Sequence, residues 1–145
     1  MMITKKTTFI LALSFIFSIS LSAQNIIGKW KTIDDATGKE KSVVEIFKRG
    51  DKYYGKIVSI VNPAKRDKTC IKCTDSRKDK PVMGMEIIKD LQQDDDEYED
   101  GTILDPENGK TYKCNVSMEG EEKLKLRGYI GFAALGRNQI WNRIK

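Results

Sequence analysis

Few residues in this chain have chemistry to offer. Cys70 and Cys73 form a C-x-x-C pair inside a polar stretch, and Cys114 is the third cysteine. A pair at that spacing fits three chemistries: a redox-active dithiol, half of a zinc site, or a disulfide that staples a loop. Lys68, Lys72 and Arg66 stand close by and would lower a thiol pKa. Thioredoxin-like dithiols, however, open a helix within a βαβ pattern, and the surroundings of Cys70 read as a polar loop. Zinc would need two further ligands, and only Cys114 and carboxylates remain. The favoured reading is the disulfide. Cys114 falls on the apolar face of a strand pattern and reads as a small buried hydrophobe.

Histidine is absent. That excludes Ser-His-Asp and Cys-His nucleophile systems and any imidazole metal ligand. The groups left to an enzyme are Asp34, Asp35, Asp105 and the thiols of Cys70 and Cys73. Two acids sharing a pocket would supply an acid and a base, but no spacing here demands such a pair. Asp96 to Glu107 nearly fits a calcium loop, with Asp96, Asp100, Gly101, Ile103 and Glu107 in register. Tyr98 and Pro106 occupy the third and eleventh positions, and the flanks read as strands instead of helices. The sequence therefore implies no catalytic residue, no cofactor and no metal.

The chain opens with Lys5 and Lys6, an apolar run from Phe9 to Leu21, and the small-residue site Leu21-Ser22-Ala23 before Gln24. This is the pattern of a signal peptide over 1–23, cleaved after Ala23, and its apolar run is too short to prefer a spanning helix. The expected address is periplasmic or secreted, with no membrane span after signal cleavage and a single domain over 24–145. The net charge of +5 falls to +3 once Lys5 and Lys6 leave, too little to argue for a nucleic-acid partner. The charge is nonetheless segregated. Asn62 to Pro81 carries seven basic and three acidic residues, whereas Asp94 to Glu107 carries eight acids and no base. Such regions either attract each other, face partners of opposite sign, or simply keep edges soluble.

The elements that would position these groups read as strands. Ile26 to Ile33, Ser42 to Lys48, Tyr53 to Val61, Tyr98 to Leu104, and Thr111 to Met118 alternate apolar and polar residues between turn signals such as Asp34 to Lys39 and Asn108-Gly109. Val82 to Leu91 reads as a further strand, although Met85, Ile88 and Leu91 also suit a short helix. Lys123 to Ile130 alternates most cleanly, with Leu124, Leu126, Gly128 and Ile130 on one face. A Gly131 to Gly136 connector, apolar apart from its glycines, then leads to Arg137 to Arg143, where Ile140 opposes Trp141 and Arg143. About eight strands with mostly short connections predict an all-β, small antiparallel up-and-down β-barrel; a Greek-key sandwich is the alternative.

In a closed barrel the first and last strands are neighbours, so a guanidinium can lie over the indole of Trp30, worth roughly 0.5–2 kcal/mol. Arg143 or Arg137 is the expected partner, since Arg127 takes a polar-face position. This Gly28-x-Trp30 with a late arginine resembles the lipocalin arrangement, where its role is structural.

A series of ordered motifs carries a wider resemblance. These are Asp34-Asp35-x-Thr37-Gly38-Lys39, Tyr54-Gly55-Lys56-Ile57, the Cys70/Cys73 loop leading to Pro81-Val82-x-Gly84-Met85, Ile103-x-Asp105-Pro106-x-x-Gly109-Lys110-x-Tyr112-x-Cys114, and Leu126-Arg127-Gly128-Tyr129-Ile130-Gly131 through Gly136-Arg137 to Trp141. Together they resemble the bacterial exported family catalogued as domain of unknown function 2147. The resemblance implies an exported β-barrel with no established activity. Ala133-Ala134 and Asn138 depart from it, where bulkier or hydroxyl-bearing residues are expected.

The functional expectation is a non-enzymatic envelope protein that binds a small apolar or amphipathic ligand, or an envelope partner protein. Binding would use the end bearing the long loop and the connector, through Tyr129, Phe132, Leu135 and Arg137. The alternative is a carboxylate- or dithiol-dependent periplasmic enzyme. Oligomeric state is left open.

Overall fold

The computed structural model describes residues 25–131 and 136–145. The expected leader and the connector residues Phe132 to Leu135 lie outside them. Eight strands follow in order: β1 (Gly28–Ile33), β2 (Glu40–Arg49), β3 (Lys52–Ile60), β4 (Glu86–Asp94), β5 (Glu97–Leu104), β6 (Thr111–Glu119), β7 (Lys123–Tyr129) and β8 (Arg137–Ile144). Each runs antiparallel to the next, and β8 pairs back onto β1 with Arg143 opposite Trp30, closing an up-and-down barrel. Closure removes both free edges that an open sheet would expose.

The alternation read from sequence is the alternation of burial. On β2, Ser42, Val44 and Ile46 are buried while Val43, Glu45 and Phe47 are half-exposed. On β7, Leu124 and Leu126 point inward. The same face ends at Gly128, however, and Ile130 is exposed beyond the strand, contrary to the sequence expectation.

β4 departs further. It starts at Glu86, after a turn through Gly84, and not at Val82. The helix-like spacing of Ile88 and Leu91 comes from a β-bulge: Asp90 takes φ 61°, and the register against β3 shifts so that Ile88 faces Gly55 and Leu91 faces Tyr53. β5 repeats the device, with Asp100 at φ 59° and Tyr98 and Gly101 both buried. A Cβ on Gly101 would sit 2.6 Å from Leu91 Cδ2, so the two bulged strands interlock through that missing side chain.

One end of the barrel is packed solid. Trp30, Trp141, Tyr98, Ile46, Leu91 and Leu124 are all buried there, and Tyr53 meets Tyr98 edge to face at 4.9 Å. The segment before β1 seals this base. Ile26 is fully buried, and its carbonyl accepts from Trp30 Nε1 at 2.8 Å. Arg143 donates to the carbonyls of Asn25 (2.7 Å), Ile27 (3.1 Å) and Glu121 (2.8 Å). Gly28 lies at φ 140°, and a Cβ there would stand 2.9 Å from Arg143 Nη1. The Gly-x-Trp pattern is thus the footprint of the arginine lying across it.

At the other end stand the loops after β1, β3, β5 and β7. The longest, between β3 and β4, carries the Cys70–Cys73 disulfide. Arg77 ties it down by donating to Glu86 O (2.9 Å) and to Thr111 Oγ1 (3.5 Å), at the starts of β4 and β6. Asp75 holds the same guanidinium at 2.6 Å.

Candidate functional site

The interior above the packed base is hollow. A cavity of about 1360 Å³, counted to its open mouth, lies among the upper halves of the strands and the four loops. It exceeds the ~300–1,000 Å³ usual for small-molecule sites because the volume runs out among the exposed loops as well as inside the barrel. Ile57, Ile60, Ile103, Leu126 and Trp141 give it apolar walls. Gly128 widens it: a Cβ there would have nothing nearer than 3.9 Å.

Few polar groups interrupt those walls. Thr32 and Ser42 share a 2.7 Å hydroxyl contact, with the Ser42 amide also donating to Thr32 Oγ1. The second polar feature spans the seam between β1 and β8, whose pairing covers only Lys29 to Lys31. Above that point side chains do the bridging. Trp141 Nε1 donates to Gln139 Oε1 (2.9 Å), Gln139 Nε2 donates to Asp35 Oδ2 (2.8 Å), and Arg137 Nη2 approaches the same oxygen at 3.0 Å. The indole therefore fixes which end of the Gln139 amide faces the carboxylate.

Two mouth loops are built alike. In Asp34 to Lys39 and again in Asp105 to Lys110, the aspartate amide donates to the lysine carbonyl, the glycine amide donates to the aspartate carbonyl, and Oδ1 accepts the amide two residues on. Gly38 and Gly109 take φ 70° and 73°. The shared D-x-x-x-G-K spelling was the sequence signal for this, and it is hidden by the unlike residues between. Asn-Gly does not form the two-residue hairpin its sequence predicts. Asn108 instead uses its side chain, accepting from the Lys110 amide and donating to Tyr112 Oη.

The acids available to an enzyme are thus occupied. Asp34 is held below its ordinary pKa by the Thr37 amide and then by that of Ala36. Asp35 is engaged by Arg137 and Gln139, and Asp105 caps its own loop. The calcium-loop spacing fails geometrically, because Asp96 and Glu107 sit in turns at opposite ends of β5. No cluster of three or more metal-ligating acids or thiols occurs among the described residues. Cys70 and Cys73 are disulfide-bonded and buried, at 0% and 1% exposure, which denies a redox partner the approach that dithiol exchange needs. Burial pushes the Cys114 thiol up to about 12.

Of the expected contacts, Arg137 and Tyr129 line the mouth, Arg137 exposed and Tyr129 on the outward-facing register of β7. Phe132 and Leu135 fall outside the described residues. Trp30 takes Arg143 as its partner and not Arg137, which stands at the far end of β8. The inward wall residues Ile57, Ile60, Ile103 and Gln139 were not singled out by sequence, because alternation gives a strand's inner face but not which stretch of it adjoins empty space.

The sequence pattern of a family described as "Uncharacterized protein conserved in bacteria (DUF2147)" matches residues 28–143. The chain belongs to that family. This DUF2147 member is also similar in structure to a solved protein titled "Protein HP1028 from the human pathogen Helicobacter pylori belongs to the lipocalin family". The likeness has a TM-score of 0.74 at 22% identity and covers 83% of this chain and 84% of the other. It shows a shared lipocalin-like fold. No curated protein matches the DUF2147 chain.

Proposed function

We propose that this protein is a non-enzymatic binder of a small amphipathic molecule, exported across the cytoplasmic membrane. The observation that carries the reading is the hollow upper barrel, with apolar walls below a rim of charged loops. An apolar body would displace water from the walls, while a polar head would stay at the mouth beside Thr32, Ser42 and the Arg137–Asp35–Gln139 chain. A lipocalin-like fold suits that use, and membership of DUF2147 is compatible with it. Support for export comes from the leader sequence and from the disulfide, which persists in oxidising compartments.

Native mass spectrometry of the protein purified from its own cells tests the reading. A co-purifying small molecule, released on denaturation, is the expected result. An empty barrel that also fails to take up any amphipathic probe would overturn it.

A further inference from the structure

Among the described residues four large apolar side chains stand exposed: Ile27, Val61, Ile71 and Ile130. Single exposed apolar residues need no explanation, but Val61, Ile71 and Ile130 all border the cavity mouth, on the loops after β3 and β7. Ile71 is 69% exposed and Ile130 68%.

Ile71 is also held in place. It lies between two buried, bonded cysteines, its amide donates to Thr69 O at 3.1 Å, and Lys78 Nζ donates to its carbonyl. The disulfide thus presents a two-residue tip, Ile71-Lys72, with its apolar member turned to solvent. Ile71 takes no part in the packed core.

Charge singles out the same end. The loop between β3 and β4 holds the seven-to-three excess of basic residues, while Asp94, Asp95, Asp96, Glu97, Glu99 and Asp100 crowd the turn between β4 and β5 at the base. Crowding is strong enough that Glu99 is raised above its ordinary pKa, first by its hydrogen bond with Glu97. Within the mouth, Glu107 is engaged by Lys41 and Lys65, whereas Lys68 and Lys72 make no ion pair among the described residues. Along its axis the barrel is therefore positive at the mouth and negative at the base.

We propose that the barrel mouth docks on an anionic phospholipid surface, with Ile71 and Ile130 entering the headgroup layer and Lys68 and Lys72 lying against lipid phosphates. An apolar tip with lysines beside it, as at Ile71 between Lys68 and Lys72, suits a bilayer boundary, where lysine stems lie along apolar surface and their charges meet phosphate. A protein partner fits less well, because lysine is depleted at protein interfaces. The axial polarity orients the approach, attracting the mouth and repelling the base. This docking does not depend on the cavity holding a ligand.

Co-sedimentation of residues 24–145, which contain all eight strands, with phosphatidylcholine vesicles with and without phosphatidylglycerol tests the proposal. Partition into the anionic vesicles is expected, falling about 30-fold in the Lys68→Gln, Lys72→Gln double variant. Ile71→Ser should weaken it about tenfold, and the tryptophan emission of Ile71→Trp should shift to the blue on adding vesicles. Asp95→Asn with Asp96→Asn, at the base, should not reduce partition. Absence of partition into anionic vesicles would overturn the proposal, as would partition indifferent to Ile71→Ser and Ile130→Ser with no spectral shift, which is simple adsorption. Capture of a soluble protein by this face without vesicle binding would overturn it too. A variant with its cavity filled that still docks would support it, even if the ligand reading fails.

Discussion

The guanidinium carbon of Arg143 lies 4.3 Å from the centroid of the Trp30 ring, joining the last strand to the first. The same side chain bonds three backbone carbonyls and so binds the segment before β1, the turn between β6 and β7, and the closing strand into one base. Arg143→Met should lower stability by about 1–3 kcal/mol, since it forfeits both the cation–π contact and the charge-assisted bonds to three backbone carbonyls. Arg143→Lys should recover less than half of that, because an ammonium cannot reach three acceptors in one plane. Urea unfolding midpoints read the difference, and an unchanged midpoint would show that the pair closes nothing.

The two D-x-x-x-G-K loops offer a matched comparison. Gly38 and Gly109 share a left-handed backbone, but a Cβ on Gly38 meets open space whereas one on Gly109 would lie 1.9 Å from Lys72 O. Gly38→Ala should cost about 1–2 kcal/mol, the conformational term alone. Gly109→Ala should cost distinctly more and displace the disulfide loop, visible as faster proteolysis between Asn62 and Pro81. Equal losses would mean that the loop does not rest on Gly109.

Gly128 separates cavity from scaffold. Its backbone does not need glycine, and its neighbours leave room for a side chain. Gly128→Trp should therefore keep the thermal midpoint within a few degrees while weakening an amphipathic probe such as anilinonaphthalene sulfonate about tenfold or more. Undiminished probe binding in a folded variant would place the probe elsewhere.

Acid should act on the long loop through Asp75. Its hydrogen bonds from the Arg77 side chain and then the Arg77 amide hold the carboxyl down to about 2, from an ordinary 3.8. A folded pKa below the unfolded one means that the contribution is complete above about 3.8 and is lost as pH falls toward about 2. Asp75→Asn should accordingly unfold more easily at pH 7, and its deficit relative to the native protein should shrink over that acid window. A deficit constant down to pH 2 would assign the loss to packing instead of charge.

Much of the barrel was legible in the chain because a half-buried strand must alternate, and Ser42 to Lys48 and Lys123 to Gly128 do so without interruption. β4 was legible as a strand but neither in its bounds nor free of a helical rival, because a bulge at Asp90 converts a two-residue period into the three-residue step from Ile88 to Leu91 that also marks a helix. The site was less legible still. Arg137 and Tyr129 were read as mouth residues from their place beside a connector, but Ile57, Ile103 and Gln139 look like any other inward position.

The sequence by itself determined the all-β class, a count of about eight strands and a late arginine meeting Trp30, because alternation and turn chemistry are local and closure follows from strand number, while for the C-x-x-C pair it only favoured the disulfide that the structure shows. Only the tertiary structure decided that the base is packed and the mouth hollow, that Arg143 and not Arg137 covers the indole, and that basic loop and acidic turn lie at opposite ends. Those outcomes depend on register and strand length summed around a closed ring, and no single stretch of chain carries that sum.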